Sequence, residues 1–165
     1  MDRKFIRIEL AEVTMRKGFL VLLLLSCIFG VPSCATAPSP VLPANLQWVD
    51  SQVLPGAKNA TLAGNPAQPG FSMWRSSYPA NYRVPPHYHS VTEYVTVISG
   101  TIYNGVGEKF DTAQGTAYPA GSFFINPANH PHYFWTTDRE AVLQFSIIGP
   151  LGMTFVNPAD DPRRR

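Results

Sequence analysis

Two histidines and a glutamate stand close together near the middle of the chain. His87 and His89 are separated by one residue, and Glu93 follows four residues after His89. In an extended segment, residues two apart point to the same face, so the two imidazoles can aim at one point. The step to Glu93 is even and returns to that face if a short turn intervenes. Two imidazoles and a carboxylate that converge in this way match the facial triad that holds a divalent metal ion with open positions.

A fourth candidate ligand comes from a later, proline-bounded stretch. His132 directly follows Pro131 and begins a run rich in aromatic residues, from which it could reach the same point on a neighbouring strand. Two histidines separated by one residue, as His87 and His89 are, also occur on solvent-exposed polar strand edges where they have no function. The glutamate after the pair and the second histidine beside a turn favour the metal site over that alternative.

The elements that must position these residues have an all-β pattern. From Leu46 onward, short runs of β-branched and aromatic residues alternate with Gly, Pro and Asn, and no stretch keeps a helical apolar period for three turns. The close spacing of the runs favours a sandwich or a barrel. Residues 54–70, rich in Pro and Gly, are predicted to be a loop over one end of the barrel. The predicted strands are 46–50, 71–78, 92–99, 101–106, 115–118, 122–125, 132–136, 141–148 and 153–156.

These residues and spacings resemble the two sequence motifs of the cupin superfamily of small β-barrels. The first motif has two His separated by one residue, then a Glu, then a Gly. The matching residues are His87, His89, Glu93 and Gly100. The second motif is matched by Gly121, Pro127 and His132, with Asn129 where a Gly is usual and Thr136 where an Asn is usual. Asn tolerates positive φ better than other non-Gly residues, so the turn at Asn129 is expected to survive.

The resemblance implies a small, jelly-roll-like β-barrel of the cupin type that holds one divalent metal ion. The ligands that it implies are His87, His89, Glu93 and His132. Three imidazoles and one carboxylate leave two positions of an octahedral ion for water, oxygen or a chelating substrate. This donor set does not select among Fe, Mn, Zn, Ni, Co and Cu.

Two functions follow from the resemblance. The first is a metal-dependent enzyme, most naturally dioxygenase-like, that acts on a small molecule. The alternative is a non-catalytic metal-containing module that senses or binds a small ligand, since the chain is also similar to single-domain cupins akin to the metal-binding portion of anti-sigma factors. The fold alone does not separate the two, because one barrel hosts many chemistries.

Three further residues are candidates for the lining of a ligand cavity. Gln144 and Ser146 are polar positions in the apolar run 141–148. Their face either lines a cavity or is exposed to solvent, and we favour the cavity because a small barrel needs a few polar groups to orient a ligand. Phe134 could add an aromatic wall. His130 is interpreted as an exposed loop residue rather than an acid or base near the metal.

The first 34 residues are predicted to be an export segment. Residues 19–31 are thirteen almost purely apolar positions preceded by Arg16 and Lys17, whereas a membrane-spanning helix needs about 20. The pattern is typical of a signal peptide. The residues before Cys34 resemble a lipobox, so Cys34 is a candidate lipidation site, although an ordinary cleavable signal with incidental cysteines fits equally well. Met15 is an alternative start of translation.

Composition and charge indicate how the rest of the chain is divided and which classes of partner it binds. Residues 35–45 are small and Pro-rich and are predicted to be a linker, followed by the barrel at 46–161 and a basic tail at 162–165 that is expected to be a disordered terminus. The 13 basic and 11 acidic residues include no block of five like charges, so nucleic acid is not an expected partner. The expected partner is a small molecule. The protein is expected to be periplasmic or a membrane-anchored lipoprotein tethered through its N-terminus, and a homodimer is compatible with the sequence.

Overall fold

The computed structural model describes residues 40–164. The predicted export segment, the lipidation of Cys34 and the first part of the predicted linker lie outside the described residues. Within residues 40–164, no helix has the length and apolar character needed to cross a membrane.

The described residues form eleven strands in two antiparallel sheets. The strands are β1 (Val49–Asp50), β2 (Lys58–Ala63), β3 (Gly70–Tyr78), β4 (Arg83–His89), β5 (Glu93–Ser99), β6 (Thr101–Val106), β7 (Thr116–Pro119), β8 (Phe123–Asn126), β9 (His132–Trp135), β10 (Ala141–Gly149) and β11 (Met153–Phe155). The six-stranded sheet has the order β1-β2-β3-β10-β5-β8, and the five-stranded sheet has the order β11-β4-β9-β6-β7. The helical residues belong to short 3-10 turns at Pro43–Asn45, Thr112–Gln114, Pro158–Asp160 and Pro162–Arg164. The predicted all-β, jelly-roll-like fold class is confirmed.

One core fills the space between the two sheets. On β10 the apolar residues Leu143, Phe145 and Ile147 alternate with more exposed ones, and all three are buried. This period of two places every second side chain on the inner face. Val84 on β4 and Phe134 on β9 meet them from the five-stranded sheet as members of the same core cluster.

The segment predicted to be one long loop, residues 54–70, contains a strand. β2 pairs antiparallel with β3, with Asn59 opposite Ser76 and Thr61 opposite Trp74. The sequence of β2, KNATLA, has one β-branched residue and no aromatic one. Its strand conformation therefore depends on pairing with β3 more than on intrinsic propensity, which is why the loop prediction was wrong.

β4 was also absent from the predicted strands, because its two prolines cannot donate to a sheet ladder. The register with β9 shifts between Val84 and His87, since Val84 is opposite Phe134 and His87 is opposite His132. Three steps on β4 thus match two on β9, which is a β-bulge. The bulge turns both Val84 and His87 inward although the step from one to the other is three residues, an odd number. It thereby places the side chains of His87 and His89 in the interior.

The described part of the C-terminal tail, Pro162–Arg164, forms a 3-10 turn with specific contacts, contrary to the expectation of a disordered terminus. The guanidinium of Arg163 donates to both carboxylate oxygens of Asp161, at 2.7 and 2.9 Å, and to the backbone carbonyl of Met153 at 3.0 Å. The sequence prediction considered only the charge and the position of the tail. It missed that Asp161 supplies an anionic partner and that β11 supplies an acceptor.

Candidate metal centre

Three histidine side chains meet inside the barrel. His87 and His89 lie on β4, and His132 lies directly opposite His87 on β9. One ligand atom from each of the three lies within 4.8 Å of the others. The three residues are between 1% and 5% exposed. The sequence motifs therefore point to residues that the fold does bring together.

Each imidazole is fixed by a backbone carbonyl on the side away from the cluster. The Nδ1 atoms contact the carbonyl oxygens of Pro85 (2.7 Å, from His87), Gly152 (3.0 Å, from His89) and His130 (3.0 Å, from His132). A carbonyl can only accept, so each Nδ1 carries the proton and each Nε2 keeps a lone pair. This is the usual way in which proteins orient histidines that bind metal ions.

Burial keeps these histidines in the neutral state that a metal ion requires. Desolvation lowers the pKa of His87 well below its usual range, with further lowering from the neighbouring His132 and His89. Burial also lowers the pKa of His89 to about 4 and that of His132 below its ordinary value. Near neutral pH all three rings are therefore unprotonated at one nitrogen and can act as ligands.

Glu93 approaches the cluster from the other sheet. It begins β5, is 2% exposed, and its Oε1 lies 3.3 Å from Nε2 of His89 while its Oε2 lies 3.8 Å from Nε2 of His132. Burial raises the pKa of Glu93, and the nearby His132 and a hydrogen bond from Asn126 act in the opposite direction. A buried carboxylate is costly unless a positive charge or hydrogen bonds compensate it.

The polar atoms of this cluster fit a divalent metal ion. Nε2 of His132 is buried and, among the described residues, has no hydrogen-bond partner. A buried polar atom without a partner costs about 1–3 kcal/mol. A cation next to the three Nε2 atoms would satisfy His132 and would compensate the charge of Glu93. The mixed nitrogen and oxygen donors suit several first-row metals.

Two buried asparagines that the sequence analysis did not single out support Glu93. Nδ2 of Asn126 donates to Oε2 of Glu93 at 3.2 Å, and Nδ2 of Asn104 donates to Oδ1 of Asn126 at 3.2 Å. Asn126 ends the apolar strand β8, and Asn104 follows three β-forming residues in β6. A single polar residue on the inner side of an apolar strand is the signal that could have identified both.

Replacing Asn126 with leucine is expected to lower metal affinity about 10- to 100-fold, the usual effect of losing a group that orients a ligand. The variant removes the donor to Glu93 and leaves every ligand in place. Competition with a chelating dye would measure the change. Asn45→Leu, at an exposed position, is the matched control and should bind like the wild type. Equal affinity of the Asn126 variant and the wild type would show that Glu93 needs no such support.

A cavity of about 480 Å³ opens next to the cluster, and its lining includes His87, His89 and Glu93. This volume falls within the usual range for small-molecule sites. Other lining residues are Asn59, Thr61, Trp74, Ser76, Tyr78, Val84, Phe134, Phe145, Leu151 and Met153. Phe134, a candidate for the cavity wall in the sequence, is among these lining residues.

The prediction that Gln144 and Ser146 line the cavity is wrong. They alternate along β10 with the buried residues Leu143, Phe145 and Ile147 and so lie on the outer face. There Oε1 of Gln144 accepts a hydrogen bond from Nε of Arg75 at 3.2 Å. Of the two alternating sets of residues on β10, the one that is entirely apolar faces inward.

Two smaller expectations about the second motif are confirmed. Asn129 has a φ of 58°, the left-handed conformation for which the family usually has Gly at this position. His130 is exposed, and its backbone carbonyl, not its ring, serves the cluster by accepting the hydrogen bond from His132.

Comparisons with known proteins agree with this fold. Residues 74–148 match the family model for the cupin domain, and this range includes His87, His89, Glu93 and His132. Residues 74–148 therefore form a cupin domain. No curated protein matches the chain.

Several solved structures share the fold at low sequence identity. The polyketide cyclase RemF from Streptomyces resistomycificus is 17% identical, with a TM-score of 0.63 over 76% of this chain and 90% of that chain. The DMSP lyase DddQ from Ruegeria pomeroyi DSS-3 is 19% identical, with a TM-score of 0.55 over 68% of this chain and 61% of that chain. KdgF from Halomonas sp. is 14% identical, with a TM-score of 0.53 over 66% of this chain and 93% of that chain. At these identities the likeness shows the fold alone.

Proposed function

We propose that this chain is a metal-dependent, dioxygenase-like enzyme that acts on a small molecule. One observation carries the proposal: His87, His89 and Glu93, which cluster with His132, line a cavity of about 480 Å³. A structural metal site is closed by its protein ligands, whereas a catalytic site keeps an open side for substrate. Here the open side is the cavity.

The chain's own residues prepare the site for such chemistry. A divalent ion held by the four side chains would supply a Lewis acid with positions left for oxygen or substrate. The carbonyls of Pro85, Gly152 and His130 keep the imidazoles oriented. Tyr78 lines the cavity, and burial raises the pKa of its hydroxyl, which therefore stays protonated and can donate to a ligand.

Elemental analysis followed by an oxygen-uptake screen tests the proposal. The protein would be produced from the full-length gene and purified without a histidine tag. About one Fe or Mn ion per chain, together with oxygen consumption that depends on an added small molecule, would support the enzyme. Tightly held Zn without turnover would instead support the non-catalytic ligand-binding module. A preparation that takes up no metal would contradict both.

We also propose that the protein is exported, as a periplasmic protein or a lipoprotein anchored through Cys34. The support comes from the apolar run at residues 19–31 and from the lipobox-like residues before Cys34. Fractionation of cells that express the full chain tests this. An anchored protein would be in the membrane fraction and Cys34→Ala would release it, whereas cytoplasmic accumulation of the uncleaved chain would contradict export.

A further inference from the structure

One wall of the cavity carries a hydrogen-bonded row of side chains that is separate from the metal centre. Nε1 of Trp74 contacts Oγ of Ser76 at 3.2 Å, and Oγ of Ser76 contacts Oδ1 of Asn59 at 2.8 Å. All three residues line the cavity. They belong to β2 and β3 of the six-stranded sheet, whereas the histidines belong to the other sheet.

These hydrogen bonds run in one direction in the structure. An indole N–H can only donate, so the hydroxyl of Ser76 accepts from Trp74, and it donates its own proton to Oδ1 of Asn59. Asn59 therefore turns its carbonyl oxygen toward Ser76. Its amide NH₂ is left as a donor, and within residues 40–164 no acceptor is in hydrogen-bond distance of it. Because Asn59 is only partly buried and lines the cavity, a ligand can reach this donor.

The same wall is flat and aromatic. The rings of Trp74 and Phe145 are stacked, with centroids 5.2 Å apart and planes 8° from parallel. Phe134 lines the cavity from the other sheet. Aromatic faces of this kind favour planar ligands, with a gain of about 0.5–1.5 kcal/mol beyond simple burial of area.

Outside the metal centre, the described side chains that line the cavity leave no positive charge free for an anionic ligand. Among the lining residues in the described part of the chain, Arg163 is the one with a permanent positive charge, and its guanidinium already binds the Asp161 carboxylate. Asp50 is acidic and exposed, and Glu93 belongs to the metal centre. A carboxylate or phosphate laid against Trp74 would thus meet no free cation on that wall.

We propose that the site takes an uncharged, planar aromatic molecule that carries a hydroxyl or keto oxygen. The ring lies against Trp74, and the oxygen accepts a hydrogen bond from the Asn59 amide. This inference rests on the proposed function, because it names the substrate class of the same cavity. It also assigns Asn59, Ser76 and Trp74 as substrate-binding residues, none of which carries a cupin motif.

Binding of probe molecules to the metal-free protein tests the inference. Full-length protein stripped with EDTA would be dialysed to equilibrium against 2-naphthol, against its anionic analogue 2-naphthoate, and against the non-planar alcohol 2-decalol. We expect 2-naphthol to bind about 3- to 10-fold more tightly than 2-decalol, the factor that corresponds to one aromatic contact. We expect a similar or larger preference over 2-naphthoate.

Three variants connect that preference to the row of side chains. Trp74→Leu should reduce the preference for 2-naphthol over 2-decalol. Asn59→Leu keeps a similar side-chain volume but removes the donor, and should weaken 2-naphthol about 3- to 10-fold, as expected for one hydrogen bond. Trp48→Leu is the matched control, because Trp48 is 36% exposed and does not line the cavity.

The outcomes separate this inference from the proposed function. Selective binding of 2-naphthol to the metal-free protein would support the inference even if no oxygen uptake were found. Equal binding of the three probes, or tighter binding of 2-naphthoate, would overturn it even if the metal-loaded protein were active. If Trp74→Leu did not fold, the probe comparison and Asn59→Leu would still decide, since unchanged 2-naphthol binding by Asn59→Leu would remove Asn59 from the proposal.

Discussion

Replacing His132 with alanine is expected to weaken metal binding by at least about 100-fold, the upper end of the effect seen when a group that merely orients a ligand is lost. His132 supplies one of the three clustered ligand atoms. Its Nε2 is also a buried atom that has no hydrogen-bond partner among the described residues. A chelator competition assay, with elemental analysis of the dialysed protein, measures the loss.

The nearby His130 provides a matched control for this experiment. It is exposed, and only its backbone carbonyl contacts the cluster, so His130→Ala should bind metal like the wild type. A second variant, His132→Leu, keeps most of the volume and removes the unpaired nitrogen. Its free energy of unfolding without metal should equal or exceed that of the metal-free wild type. Wild-type metal affinity in both His132 variants would contradict the assignment of His132 as a ligand.

Replacing Phe134 with alanine is expected to lower the free energy of unfolding by about 3–5 kcal/mol, through lost burial and the cavity left behind. Phe134 is 2% exposed. Its ring centroid lies 5.3 Å from that of His132, 5.8 Å from that of His87 and 6.2 Å from that of Phe124. Because native domains are stable by about 5–15 kcal/mol, the loss is a large part of the total. Urea unfolding of the metal-free protein measures it.

Phe123→Ala is the control for the Phe134 variant. Phe123 is 56% exposed on the outer face of β8, so its removal should change stability by less than about 0.5 kcal/mol. Metal affinity should also fall in Phe134→Ala and not in Phe123→Ala, because Phe134 packs against two of the histidines. Similar unfolding free energies for the two variants would mean that Phe134 does not support the core and the site as described.

The ligand cluster could be predicted from the sequence because its signal is local. His87 and His89 need only an extended backbone to share a face, and the positive φ of Asn129 is a property of one residue. The bulge at Pro85 and Pro86 could not be predicted, since it appears only in the register with β9. It is nevertheless what turns the pair inward beside Val84.

The cavity was harder to predict because its walls come from pairing between distant segments. β2 has weak strand propensity and forms against β3, which brings Asn59 beside Ser76 across seventeen residues of sequence. The wrong prediction for Gln144 had another cause, because the polarity of its side chain was given more weight than the alternation of inward and outward residues along the strand. Leu143, Phe145 and Ile147 formed the more uniform apolar set, and that set faces the core.

Anomalous diffraction from crystals of the metal-loaded protein, recorded at the absorption edge of the bound metal, tests the central claim most directly. We expect one strong peak at about 2.0–2.2 Å from Nε2 of His87, His89 and His132 and from a carboxylate oxygen of Glu93, the distances typical of first-row metals with such ligands. A peak bound by other residues, or no peak between these side chains in a protein that retains metal, would contradict the account.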